Sequence, residues 1–213
     1  YILMGIFFKV ENKKALFIGA DGKHLAEATT ELDIDPNFNC ECVVPLKAVE
    51  ETYKILGEEG DVRFTLMNDK IAIEIDKVTI VTKLLSGAYP DFTRIIPTTA
   101  PMVLDIHREE LISLLRQVSL FTDEEHQSVR FLFSEGQLSL KATHSSIGEG
   151  DVTMPVNYKG KDLAIAFNPR IVLDILRHSY DETIKLHLSD SYNPGMFTDS
   201  SSARFVAMPM RLL

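Results

Sequence analysis

Short runs in which apolar and polar residues alternate recur along the whole chain, and they constrain its fold more than any other feature. Residues 5–10, 15–19, 62–66, 71–75, 78–82, 129–133, 138–142, 163–167, 184–188 and 204–208 all have this texture. A period of two places every second side chain on the same face of a strand, so each run reads as one half-buried β-strand. Glu11-Asn12, Asn68-Asp69, Glu135-Gly136 and Lys159-Gly160 supply turn chemistry between neighbours, the pattern of antiparallel meanders. With 213 residues, 45% hydrophobic and 25% charged, the chain has the composition of a globular protein that buries a core. No apolar run approaches the ~20 residues of a membrane-spanning helix, and the apolar start over residues 1–8 lacks the basic flank of a signal peptide. That start, on Tyr1, reads as the interior of a strand and as a cut from something longer.

Three stretches switch to a helical period. Residues 46–56 place Leu46, Val49, Tyr53 and Leu56 on one stripe, with Pro45 before and Gly57 after as a stop. Residues 108–120 align Leu111, Leu114, Leu115 and Val118. Residues 169–178 carry Ile171, Val172, Ile175 and Leu176, with Asn168 as N-cap and Pro169 in the first turn. The element order then repeats. Segments 42–49 and 165–172 share one strand-then-helix texture, and each is followed by three strands. The chain therefore reads as two copies of a β-rich unit, each built from two half-units of strand, helix and three strands. The copy from 98 to 213 is complete, and that from 1 to 97 lacks its opening strand and helix. The Pro- and Gly-containing segment 86–97 joins them.

Cys40 and Cys42 sit two apart on an expected strand, too extended to pair with each other. No further ligand lies at a metal-binding spacing, so they read as two small thiols in a reducing cytoplasm, and no metal or cofactor is expected. The six histidines, at 24, 107, 126, 144, 178 and 187, are likewise scattered. Catalysis has two weak candidates: Asp21 with His24 as the acid–base pair of a hydrolase, and Ser191 beside Asp190. Neither sits in a nucleophile elbow, and no phosphate loop or metalloprotease helix occurs. Asp21-Gly22 is more simply a turn. The formal charge is −9, from 22 Lys+Arg against 31 Asp+Glu. Even so, the helices carry spaced cations: Lys47 and Lys54, Arg108 and Arg116, and Arg170 and Arg177, each pair about two turns apart. Solvated helix faces are the ordinary fate of such residues, which leaves a structural β-protein with no nucleic-acid role as an alternative.

Several segments in order carry a family resemblance. Leu3-Met4-Gly5-Ile6-Phe7-Phe8, Ala20-Asp21-Gly22-Lys23-His24-Leu25-Ala26, Tyr89-Pro90-Asp91-Phe92-Thr93-Arg94-Ile95-Ile96-Pro97, the helix start Phe167-Asn168 through Leu176, and the tail Val206-Ala207-Met208-Pro209-Met210-Arg211-Leu212 resemble, respectively, a strand, a turn, the inter-domain linker, a helix start and the C-terminal tail of the bacterial DNA sliding clamp, the beta subunit of DNA polymerase III. The resemblance covers most of a second domain and all of a third. It implies an α+β fold of two tandem sliding-clamp domains, with antiparallel sheets outside, helices lining a concave inner face, and the first domain incomplete. It also implies a processivity factor, not an enzyme: a ring-shaped homodimer, in the cytoplasm on the nucleoid, that encircles duplex DNA without reading sequence. Lys47, Lys54, Arg108, Arg116, Arg170 and Arg177 are the implied DNA-facing cations, contacting phosphates only.

The same resemblance implies an apolar pocket for a short linear peptide of the polymerase catalytic subunit, the clamp loader and repair polymerases. Its residues are Leu3, Ala20, Gly22, Lys23, Leu25, Pro90, Arg94, Ile95, Asn168, Ile171, Val206, Met208, Pro209, Met210 and Arg211. Met and Pro suit an adaptable apolar floor, and Arg94 and Arg211 suit peptide carbonyls or a carboxylate. Ala20 stands for the family's Thr, Lys23-His24 for His-Arg, and Ile171 for a frequent Tyr, which leaves the peptide preference open. Leu120, Phe121, Glu149 and Asp151 are implied at the ring-closing interface. Without a first domain the chain is expected to be a monomer or to associate in a non-native way.

Overall fold

The structure, a computed structural model, describes residues 2–97, 100–122 and 127–211. Of the features singled out from the sequence, Tyr1, position 98, His126, Leu212 and Leu213 lie outside the described residues. The chain divides into two compact units, 1–91 and 92–213, within the expected linker.

Unit 1 opens with a short 3-10 turn at Ile2–Met4, followed by β1 (Gly5–Glu11), β2 (Lys14–Ala20), β3 (His24–Glu31), β4 (Cys40–Pro45), α1 (Leu46–Ile55), β5 (Val62–Leu66), β6 (Lys70–Ile75) and β7 (Val78–Lys83). Its strands pair in the orders β4-β1-β2-β3 and β5-β6-β7, antiparallel throughout. The β1–β2 loop is Asn12-Lys13, with φ of 51° and 61°, one residue later than the sequence suggests. Positive φ at both central positions gives the twist that a two-residue hairpin needs. Phe8, Val10, Val44, Ala48, Ile71 and Ile73 form the core, and Cys40 and Cys42 pack against it as small apolar groups. Burial pushes the Cys42 thiol up to about 11, so it is an inert thiol rather than a nucleophile.

In α1 the outcome departs from expectation. The helix turns Ala48 and Thr52 inward, while Leu46, Tyr53 and Leu56 are 38%, 78% and 44% exposed. Gly57 is not a left-handed cap either. The helix ends at Leu56, whose N–H donates to the Thr52 carbonyl at 3.0 Å.

Unit 2 contains β8 (Met102–His107), α2 (Arg108–Val118), a 3-10 turn (Ser119–Phe121), β9 (Val129–Ser134), β10 (Gln137–His144), β11 (Gly148–Pro155), β12 (Leu163–Phe167), α3 (Pro169–Arg177), β13 (Thr183–Leu188), β14 (Gly195–Thr198) and β15 (Arg204–Ala207). Its strands pair as β11-β10-β9-β12 and β8-β13-β14-β15. One apolar core draws Phe131 and Leu140 from the first sheet, Ile106, Ile184 and Phe197 from the second, Leu111 and Leu115 from α2, and Val172 and Leu176 from α3. Each fully buried side chain of this kind contributes about 1.5–3 kcal/mol. Of the helical stripes read from the sequence, Leu111, Leu115, Val118, Val172, Ile175 and Leu176 are buried, while Leu114 and Ile171 pack half-buried against the core.

Asn168 caps α3 as expected: its Oδ1 accepts the Arg170 N–H at 2.9 Å. Asn168→Ala leaves that N–H without a partner and is expected to cost about 1 kcal/mol, readable as a lower urea midpoint with an unchanged slope. On α2 the cap is His107, whose Nδ1 accepts from the Glu110 N–H at 3.3 Å, a role its sequence context does not announce.

Candidate nucleic-acid and peptide surfaces

Helices α2 and α3 lie side by side and antiparallel. The guanidinium of Arg108, on the first residue of α2, donates to the Leu176 carbonyl in the last turn of α3 at 3.1 Å. At the opposite end of the pair, Arg116 and Arg170 line one cavity of about 280 Å³ together with Ser119, Thr122, Gln127, Pro169 and Leu173. Two of the candidate cations are thus brought together, beside three polar residues that helical spacing does not reach. Both arginines are exposed, and Arg170 lies in the first turn of α3, where the helix dipole adds to its attraction for an anion.

The other four cations differ among themselves. Arg108 is only 22% exposed and also pairs with Glu109 at 2.8 Å, so its charge is committed inside the unit. Lys54 is held by Glu51 at 2.8 Å, an exposed pair of small energetic weight. Lys47 and Arg177 are exposed.

In unit 2, the tail folds back on the start of α3. The Met210 N–H donates to the Ala166 carbonyl at 2.7 Å, two residues before Asn168. Met208 is 41% exposed, Arg211 is exposed, and Ile171, Pro209 and Met210 are half-buried. Val206 is fully enclosed and presents no surface. In unit 1, Ala20 and Leu25 face each other across the β2–β3 hairpin, whose turn holds Gly22 at a φ of 85° and the exposed Lys23. Leu25 is 2% exposed, so of the candidate pocket residues in the hairpin Ala20, Gly22 and Lys23 offer surface. Leu3 lies in the 3-10 turn before β1, half-buried, and Pro90, Arg94 and Ile95 are exposed on either side of the unit division.

Leu120 projects from the turn after α2 and is 72% exposed. Phe121 instead packs against the core of unit 2 and lies over Gly150 of β11, where a Cβ would come within 2.5 Å of its ring. That glycine is a seat for the ring, which explains a glycine in the middle of a strand. β11 is the edge of its sheet and exposes Glu149 and Asp151. Lys141 at 2.7 Å and the Ser139 hydroxyl at 2.8 Å hold the Asp151 carboxyl below the usual carboxylate range.

The hydrolase candidates are turn residues. Asp21 Oδ1 accepts the N–H groups of Lys23 and His24 at 2.8 and 2.9 Å. Burial pushes this carboxyl up, yet those N–H groups outweigh it and leave it below its ordinary value. His24 Nδ1 lies 3.0 Å from the same oxygen but out of hydrogen-bonding geometry. Asp190, beside Ser191, is taken up by the N–H groups of Tyr192 and Asn193 at 2.7 and 2.8 Å. Among the described residues, no group of His, Cys, Asp and Glu is arranged to hold a metal ion. No helix among them is long and apolar enough to cross a membrane.

Against known proteins, residues 1–91 match the central domain of the DNA polymerase III beta subunit and residues 93–211 its C-terminal domain. The chain therefore belongs to the DNA polymerase III beta subunit family, the bacterial sliding clamps. The beta sliding clamp of Chlamydia pneumoniae is 51% identical over 212 residues, covering 100% of this chain and 58% of the relative, and that of Salmonella typhimurium is 30% identical with the same coverage. The chain thus spans about 58% of the length of these relatives. A crystal structure of the DNA polymerase sliding clamp of Pseudomonas aeruginosa aligns with a TM-score of 0.95 at 26% identity, over 100% of this chain and 59% of that one. Another from the same organism, bound to griselimycin, also aligns at 0.95 with 27% identity, over 100% of this chain and 58% of that one. The fold is thus two tandem clamp domains of antiparallel sheets with few helices.

Proposed function

We propose that this chain supplies the middle and C-terminal parts of a DNA polymerase processivity clamp, a protein without catalytic chemistry of its own that slides on duplex DNA in the bacterial cytoplasm. The observation that carries the DNA reading is the meeting of Arg116 and Arg170 on one cavity at the junction of α2 and α3, on a chain with an overall charge of −9. Sparse cations attract phosphates electrostatically, and an acidic remainder keeps the attraction weak enough for sliding. Within unit 2, Arg177 is a further exposed cation, and within unit 1 Lys47 is exposed as well. Arg108 and Lys54 offer less, because each already has a carboxylate partner.

The same reading gives the Met208–Arg211 tail and the start of α3 a share in a peptide site for polymerase, clamp-loader and repair proteins. The complex of a related clamp with griselimycin supports a ligand-accepting surface in this family. On the same reading, Leu120, Phe121, Glu149 and Asp151 belong to a homodimer interface of the whole protein.

Fluorescence anisotropy with a duplex oligonucleotide tests the DNA reading. Binding should be weak, non-specific in sequence and steeply salt-dependent. Replacing Arg116 and Arg170 together by alanine should flatten the slope of log K against log salt by about two. Tight binding at physiological salt, or a slope indifferent to both arginines, would overturn it.

A further inference from the structure

The cations of the helices are not equally engaged. Arg108 and Lys54 each meet a carboxylate at 2.8 Å. Among the described residues, the guanidiniums of Arg116 and Arg170 meet none. Both line the cavity of about 280 Å³ at the junction of α2 and α3, which lies wholly within unit 2. Two like charges on one cavity repel each other, a cost that an anion shared by both offsets.

The other lining residues narrow what that anion can be. The Ser119 hydroxyl donates to the Leu115 carbonyl, and the Thr122 hydroxyl donates to the Ser119 carbonyl at 2.8 Å. Their protons are spent on fixing the turn after α2. Of the polar side chains lining the cavity, the donors left to a ligand are the two guanidiniums and the carboxamide of Gln127. Pro169 and Leu173 supply an apolar remainder. Each guanidinium is a planar fork that can grip two oxygens of one phosphate. A phosphodiester of a nucleic-acid backbone carries a single charge. A phosphomonoester carries about −1.5 to −2 at pH 7 on three acceptor oxygens. Two forks therefore match the monoester in both charge and acceptors. Arg170 stands in the first turn of α3, where the helix dipole adds to the attraction.

We propose that the Arg116–Arg170 cavity is a binding site for a phosphomonoester, the terminal phosphate of a nucleic-acid strand or of a free nucleotide. The site shares its two arginines with the DNA reading but needs no duplex, so either can fail without the other.

The probe is adenosine 5′-monophosphate, titrated into the full chain by calorimetry at low salt and neutral pH. Saturable binding at one site is expected. The methyl ester of the same nucleotide, a diester with one charge fewer, should bind about tenfold more weakly or worse, and adenosine should not bind. Arg116→Gln and Arg170→Gln, both at exposed positions, should each lower the affinity by a similar factor. Lys159→Gln, at an exposed lysine outside the cavity, should leave it unchanged. A single-stranded oligonucleotide with and without a 5′-phosphate separates the two sources. A phosphate-dependent affinity above that of the mononucleotide assigns the site to a strand end, and one at or below it assigns the site to the free nucleotide. Absence of binding by the mononucleotide, equal binding of its methyl ester, or binding indifferent to both arginines overturns the proposal.

Discussion

Phe167→Ala is expected to destabilise unit 2 by about 3–5 kcal/mol, the range for deleting a fully buried aromatic ring. Phe167 closes β12 with no exposed surface. Its ring meets Phe131 of β9 edge-on at 5.4 Å and Phe197 of β14 at 6.3 Å, so it joins the cores of the two sheets. Gly195 lies under its tip, where a Cβ would come within 2.8 Å of the ring. Neighbours held by two sheets and a capped helix cannot easily collapse into the space, so the cavity term adds to the lost transfer energy. In guanidinium unfolding the midpoint should fall steeply while the slope stays constant. A loss below 1 kcal/mol would mean that the ring is not the joint between the sheets that its contacts indicate.

Met208→Ala combined with Met210→Ala should weaken binding of a short apolar clamp-binding peptide by more than tenfold in calorimetry, a loss of at least about 1.4 kcal/mol. Met208 is exposed and Met210 half-buried, and the bond that holds the tail to β12 uses the backbone N–H of Met210. The double variant should therefore fold normally and lose adaptable apolar contact only. Unchanged affinity would retire the tail as part of the peptide surface. Ile171, in the first turn of α3, is the neighbour whose change to Tyr would then show whether preference lies on the helix instead.

How far the sequence could be read follows from where each signal lies. The strands over 62–66 and 163–167 coincide with β5 and β12, since alternation is written in consecutive residues. The Asn168 cap was legible for the same reason: acceptor and donor are two residues apart. β11 was harder, because Gly148, Gly150 and the acidic Glu149 and Asp151 give little strand propensity. It exists as a strand because β10 pairs with it over eight positions and because Phe121 needs Gly150 beneath it. In α1 only Val49 of the expected stripe packs against the core, while Leu46, Tyr53 and Leu56 are exposed, since periodicity identifies a stripe but not what covers it.

The candidate site divides in the same way. The tail motif, the helix cations and the family that they resemble are contiguous or evenly spaced, and residues 1–91 and 93–211 belong to that family. The sequence by itself determined these features, because hydrogen-bond periodicity, turn geometry and helix capping act over two to four residues. Only the tertiary structure decided that Arg108 bonds Leu176, 68 positions away, while Arg116 meets Arg170 over an open cavity. Which charges remain available depends on how two helices pack, and that is settled by shape complementarity across the core, to which no local spacing refers.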